Sequence, residues 1–420
     1  MSKKFVMVFI LFCGFSFFVF AEQQQKIPEF IRDGNVITPF YEDNKIIIDW
    51  QTTENIDEKV SAVFNASASV NFIKNDQIFL RLDGLINGNE ISKLITELIS
   101  HYHTDHIDKS LVVEILKKRD FLRLIGPIPV REESRNDIFD TLYYNNDDMM
   151  NVFHQNYVID ISPNTEPLNL VFNTIGDFIY TSFKINDIAI DLFKYMSPGA
   201  DPNHDGLIYR ISHNGISYLL FGDFDHINGI ENLLDAYIAN NREKEKIIEE
   251  INELDAKMTA IAADAIGVGI DVIKQHFRLY CHRCKRFHVN YFSVVRFIDA
   301  ASDVKQFRKN YVSNYYEMNL LTDRMNSLPD IILRSDVIKW PHHAHKFKNT
   351  DRNNSIIEKI NEALQPTFII WQRHSAQKNN NIEEYIEPFY FNEKFINTDE
   401  IIIEFISLFY LQRTGKIIFG

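Results

Sequence analysis

The chain has 420 residues, 45% of them hydrophobic, with 15 Gly and 12 Pro, which suits a large folded core and excludes a disordered or low-complexity polymer. Its formal net charge of −14 repels polyanions at long range, so general nucleic-acid binding is not expected. With 3 Cys it is no disulfide scaffold.

Met1–Ala21 opens with Lys3 and Lys4, runs through the uncharged apolar stretch Phe5–Phe20, and leaves through Val19-Phe20-Ala21 ahead of Glu22. A basic start, an apolar middle and a small-residue exit predict a secretory signal peptide cleaved after Ala21, with an uncleaved anchor as the alternative. Cys13 follows the bulky Phe12, which argues against lipid attachment. No later segment is apolar enough to span a bilayer, so the expected mature protein is exported, periplasmic or secreted.

Next come alternating apolar segments. Ser69–Ile73 and Gln77–Leu82 flank Lys74-Asn75-Asp76 and predict a hairpin ending at Asp83-Gly84. Leu94–Ser100 predicts a strand that delivers the run His101-Tyr102-His103-Thr104-Asp105-His106 at its C-terminal end. Lys109–Lys117 has helical spacing through Leu111, Val112, Ile115 and Leu116. Three imidazoles and a carboxylate in six residues, on a loop between strand and helix, point to divalent metal binding. The plain alternative is a solvated polar loop.

Phe178–Lys184 and Ile188–Phe193 flank the turn Ile185-Asn186-Asp187. Gly206–Ser212 and Ser217–Phe221 flank a turn with Asn214-Gly215, a strong hairpin signal. This hairpin is bracketed by Pro202-Asn203-His204-Asp205 and by Gly222-Asp223-Phe224-Asp225-His226. Ile247, Ile251, Leu254, Met258 and Ile261 recur at helical spacing, and a second helical stretch runs from about Val304 to Met325. Cys281 and Cys284, with His276 and His288 nearby, offer a weak zinc-knuckle signal, and a structural or short-loop disulfide pair is the alternative. A last cluster reads Asp336-Val337-Ile338-Lys339-Trp340-Pro341-His342-His343-Ala344-His345.

The order H-x-H-x-D-H, a lone His before a hairpin, Gly-Asp closing it and a later His resembles the metallo-β-lactamase fold superfamily. The segment Asp336–His343 resembles the hydrolase domain of bacterial DNA-uptake competence channels and their stand-alone relatives. The likeness covers about Ser61–His226 and Asp336 onward. It implies an α/β protein, an αββα sandwich of two mixed sheets flanked by helices. The expected layout is signal 1–21, first part of the fold 22–227, helical insertion 228–330 and second part 331–420. The insertion could cap the site, mediate a homo-oligomer, or only decorate the fold.

By this resemblance His101, His103 and His204 hold one ion, while Asp105, His106 and His343 hold a second, with Asp223 bridging. The implied cofactors are two divalent ions, zinc first, with manganese or iron as alternatives. Histidines two apart on an extended loop project to one side, which independently suits His101 and His103. Adjacent cations need a bridging carboxylate and hold a hydroxide for in-line attack. Asp105, His342 and His374 are the candidates for work at the reacting centre, with His345 a further proton donor. Asp83 stands where an outer carboxylate would orient a ligand imidazole, or it is simply a turn residue. The implied activity is hydrolysis of a phosphoester, a phosphodiester first.

Departures from the competence type favour a lactone or amide hydrolase as the alternative. Ile107-Asp108-Lys109 replaces a Gly-Gly turn, Ala344-His345 replaces Gly-Ser, and His204 stands where Asn-Ser is common. A non-catalytic metal-binding or interaction module is the reading from another class.

Overall fold

The computed structural model describes residues 30–32, 35–42, 45–52, 60–64, 69–84, 94–104, 106–110, 112–113, 122–130, 132, 135–144, 152–155, 157–161, 168–197, 202–266, 280–281, 286–287, 305–340, 356, 359–360, 362–364, 366, 368–372, 396–397 and 401–405. Met1–Ala21, Asp105, His276, Cys284, His288, His342, His343, His345 and His374 lie outside the described residues. Among the described residues, no helix is long and apolar enough to cross a membrane. The chain divides into two compact units: Met1–Phe172, Asp177–Ile230 and Leu333–Gly420 form one, Asn173–Gly176 and Glu231–Ile332 the other.

The first unit is α/β and is built on two mixed sheets. In the first sheet, β1 (Phe30–Arg32), β2 (Asn35–Glu42), β3 (Lys45–Thr52), β4 (Val60–Phe64), β5 (Val70–Lys74) and β6 (Gln77–Leu82) follow one another as an antiparallel meander. β7 (Thr96–Leu98) and β8 (Arg123–Pro127) then add in parallel. β9 (Val152–Gln155) and β10 (Val158–Ile161) finish the order antiparallel, as β8-β10-β9.

The second sheet has β11 (Asn173–Ile175), assigned to the second unit, first in its strand order, and its strands in the first unit start with β12 (Phe178–Ile185), β13 (Ile188–Tyr195), β14 (Leu207–His213) and β15 (Ile216–Leu220), all antiparallel. The second unit contributes the small pair β16 (Tyr280–Cys281) and β17 (Arg286–Phe287). β18 (Val337–Lys339) and β19 (Phe368–Gln372) join β15 in parallel, and β20 (Ile396–Asn397) and β21 (Ile401–Phe405) complete the sheet in the order β19-β21-β20.

Local chemistry sets this pattern. Two of the hairpin turns are two residues long with positive φ at both positions, Asn75-Asp76 at φ 51° and 60° and Asn214-Gly215 at φ 48° and 81°. Positive φ at both positions matches the right-handed twist of the flanking strands, and Asn, Asp and Gly tolerate it best. Each turn is thus one residue tighter, or two, than the sequence suggested. The short parallel strands β7 and β18 are buried at every position, as strands covered on both faces must be.

One apolar core draws on both sheets: Phe64, Phe72, Leu80 and Leu82 from the first meet Leu192, Tyr209, Tyr218 and Leu220 of the second. A separate cluster with Ile99, Tyr102, Leu124, Phe139 and Leu142 brings in helix α1 (Asp137–Tyr144). Asn136 caps α1, its Oδ1 accepting from the amides of Ile138 and Phe139 at 3.1 Å each, while its Nδ2 donates to the carbonyl of Tyr102 in the histidine run. Asp336 pins the parallel register of β15 and β18. Its Oδ2 accepts from the amide of Ser217 at 2.8 Å and from its hydroxyl at 2.9 Å, and its own amide donates to the Ser217 carbonyl at 2.9 Å.

Helix α2 (Ile227–Ile266) is 40 residues long, and from Glu231 it belongs to the second unit with α3 (Lys305–Ser327). Ile247, Ile251, Leu254 and Met258 are buried along one face. Glu243 pairs with Arg324, Lys244 with Asp330 at 3.4 Å, and Asn240 donates to the Pro329 carbonyl at 3.0 Å.

Candidate metal centre

Three chain segments of the first unit converge at the ends of β6, β7 and β15. Past Leu82 the chain turns at Asp83, φ 52°, and Gly84, φ 129°. Asp83 is a non-glycine residue in the left-handed region, a conformation held only where surroundings fix it. Its amide donates to Leu98 at 2.9 Å, and the amide of Gly84 donates to the carbonyl of His106. An added Cβ at Gly84 would meet Ser69 Cβ at 2.5 Å.

The Asp83 carboxylate is fully buried and completely used. Oδ1 accepts from the Ser100 amide at 2.7 Å. Oδ2 accepts from the Ser100 hydroxyl at 2.6 Å and lies 2.9 Å from His106 Nδ1. Because Ser100 gives its one proton to Asp83, its oxygen is an acceptor towards His101 Nδ1 at 3.0 Å. The proton of His101 therefore sits on Nδ1, and Nε2 is bare. His101 Nε2 is buried and has no hydrogen-bond partner.

The opposite wall comes from the β14–β15 hairpin. Leu207 N donates to the Ser100 carbonyl at 2.8 Å, stitching the second sheet to the histidine loop. After β15, Gly222 at φ 58° passes so close that an added Cβ would lie 2.6 Å from Ser100 Cβ and 2.7 Å from its Oγ. This approach places Asp223 between two imidazoles. Oδ2 stands 3.8 Å from His101 Nε2, and Oδ1 stands 3.1 Å from His106 Nε2. The His101 ring centroid lies 4.5 Å from that of His103 and 4.1 Å from that of His106.

His101, His103 and Asp223 each offer a ligand atom, all within 4.8 Å of one another, so this buried group can hold a metal ion. The electrostatics fit a cation. Burial, helped by the neighbouring His106, pushes His101 down to about 3, which keeps it neutral as a ligand must be. Burial opposes the charge of His106, yet Asp83 and Asp223 outweigh it and raise that group to about 10. Asp83 itself is lowered despite its burial, chiefly by His106. Two buried carboxylates around one imidazolium mark a place built for positive charge, where a metal would displace the Nε2 proton.

His204 sits in the 3-10 turn Pro202–Asp205. Its Nε2 lies 3.0 Å from Asp225 Oδ1, and its ring centroid is 4.7 Å from that of His226. It is not in the His101–His103–Asp223 group. The turn is anchored by a buried ion pair, Lys194 Nζ donating to both Asp205 Oδ1 and the Asp205 carbonyl at 2.8 Å. The structure thus brings His101, His103, His106, Asp223 and Asp83 together and sets His204 with Asp225. Asp105, His342, His343 and His374 belong to the undescribed part of the chain.

Sequence reasoning gave no role to Ser100, Lys339, Asp225 or Glu97. Lys339, 2% exposed at the end of β18, has its ammonium disfavoured by burial and supported by Asp83 and Asp223. It was visible as a lysine inside an otherwise apolar strand. Glu97 on β7 is fully buried, its carboxyl pushed up to about 8 by burial, with Arg81 Nε at 3.7 Å and no hydrogen bond to either oxygen.

No model of a known protein family matches the chain, and no curated protein or solved structure does either.

Proposed function

We propose that the chain is a dinuclear metal-dependent hydrolase with the αββα metallo-β-lactamase fold, acting on a phosphoester and in the first place a phosphodiester. The observation that carries the reading is the buried His101–His103–Asp223 group, with His101 Nε2 left bare by the Ser100–Asp83 relay. The two-sheet core, the His run at the end of β7 and the Gly222-Asp223 turn at the end of β15 support it.

In this reading His101, His103 and His204 hold one ion. His106 with Asp105 and His343 would hold the other, and Asp223 would be shared between them. Bound divalent ions, zinc first, would acidify a water and polarise a phosphoryl group at neutral pH. The chain's own part is positioning and charge. Ser100 fixes the His101 tautomer, Asp83 orients His106, and Asp223 turns one oxygen to each imidazole. Asp83 and Asp223 favour the ammonium of the buried Lys339, whose charge burial disfavours.

Elemental analysis of metal-replete protein should return about two divalent ions per chain. Phosphodiester hydrolysis should exceed turnover of a phosphomonoester, a lactone and a β-lactam. The Asp223→Ala variant should lose both metal and activity. Protein without bound metal would refute the reading, and a preference for the lactone would move it to the alternative chemistry. We further read the Met1–Ala21 pattern as an export signal, so the mature N-terminus should be Glu22.

A further inference from the structure

We propose that Asp225 is the carboxylate that orients His204 as a metal ligand, engaging its Nε2 and leaving Nδ1 as the nitrogen available to an ion. The inference rests on the function proposed above and adds a positioning residue and a ligating atom.

His101, His103 and Asp223 supply three ligands, one short of the tetrahedral set that zinc prefers when closed. The turn that carries His204 leads directly into the chain that packs on the His101 loop, though the His204 nitrogens are not among the ligand atoms within 4.8 Å of one another. Leu207 N donates to the Ser100 carbonyl at 2.8 Å, and an added Cβ on Gly206 would lie 3.0 Å from that same carbonyl oxygen and 3.5 Å from His101 Cβ. His204 Nε2 lies 3.0 Å from Asp225 Oδ1, a distance at which neutral imidazole donates Nε2–H to the carboxylate. Nδ1 is then the bare nitrogen. It is buried and has no hydrogen-bond partner.

His226 accepts the Gly229 amide at 3.0 Å on its Nδ1, so that nitrogen is taken. Asp205 is answered by Lys194 at 2.8 Å. Asp225 lies two residues past Asp223, so a single loop carries a metal ligand and the group that steers another. A carboxylate behind a ligand imidazole fixes its tautomer, and its removal typically weakens metal binding 10–100-fold.

Zinc titration against a chromogenic chelator, on the purified full-length chain, tests this. Asp225→Ala should weaken one of two zinc ions by about 10–100-fold while the metal-free protein keeps its melting temperature. Asp225→Glu should recover part of the loss. His204→Ala should weaken the same ion, and the double variant should bind no worse than His204→Ala alone, because both changes act through one ligand. Should the alanine variant fail to fold, the isosteric Asp225→Asn carries the same comparison. Zinc affinity within twofold of the parent in a folded Asp225 variant, or additive losses in the double variant, overturns the proposal. A parent chain that binds no zinc instead strikes the proposed function itself.

Discussion

Replacing Gly222 by alanine tests whether the approach of two backbones builds the centre. Two penalties add. A left-handed φ of 58° costs a residue with a Cβ about 1–2 kcal/mol. The new methyl group would stand 2.6 Å from Ser100 Cβ, where carbon atoms prefer about 3.5–4.0 Å, so the Asp223 turn and the histidine loop must part by about 1 Å. Forcing such an insertion costs about 1–3 kcal/mol, for a total of about 2–5 kcal/mol. Gly215 supplies the reference. It also has positive φ, 81°, but lies in the β14–β15 turn at the other end of those strands. Gly215→Ala should lose about 1–2 kcal/mol from backbone strain alone and bind metal like the parent. Gly222→Ala should unfold at lower denaturant than Gly215→Ala. Ligand distances tolerate only about 0.2 Å, so it should also bind zinc at least tenfold more weakly. Denaturant titration and zinc competition on the two variants decide the matter. Equal stability losses with equal zinc affinity would show that the close contact does not position Asp223.

Ser100→Ala should lose about 1–3 kcal/mol of stability, because a buried Asp83 oxygen forfeits its donor, and zinc affinity should fall about 10–100-fold, as denaturation and zinc competition will show. Glu97 gives a pH signature. The folded protein holds its proton to about 8 and the unfolded chain releases it near 4.5, so this contribution to stability is whole below 4.5 and is lost as pH rises to about 8. Glu97→Gln should flatten that decline, which runs at roughly 1 kcal/mol per pH unit, in metal-free denaturation curves. Lys194→Met should cost about 3–5 kcal/mol by stranding the buried Asp205 carboxylate, and Lys194→Met with Asp205→Asn should recover much of it, as thermal unfolding will show.

What the sequence made legible followed from short-range chemistry. Asn214-Gly215 announced its hairpin because few dipeptides accept two positive φ angles. The Ile247–Met258 stripe announced α2 because burial on one helix face imposes a period. His101 and His103 were readable as partners because alternate residues on an extended loop face one way. Asp83 was suspected from its place at a strand end, and the structure gives it a hydrogen bond to His106. What escaped depends on long-range neighbours. Ser100 is an ordinary serine until Asp83, 17 positions earlier, takes its proton. Asp225 looked like one more acidic residue in Asp223-Phe224-Asp225, since its link to His204 spans 21 positions. The strands β2 and β3 passed unread because their partner strands, not their patterns, define them.

The register clamp between Ser217 and Asp336 bears on the order of folding. Those residues are 119 apart in sequence, so pairing β15 with β18 from an open chain means closing a loop on the order of a hundred residues. Within the second unit, Asn240 already holds Pro329 and Lys244 holds Asp330. If that helical unit forms first, the span still to be closed shrinks to about thirty residues, which lowers the entropic barrier by about 1 kcal/mol. The inserted helices would then act as an internal splint for a parallel strand pair, and the candidate metal centre at the end of β15 would be among the last features to assemble. Metal uptake during refolding should consequently trail the gain of helical signal, and early capture of metal would reverse that order.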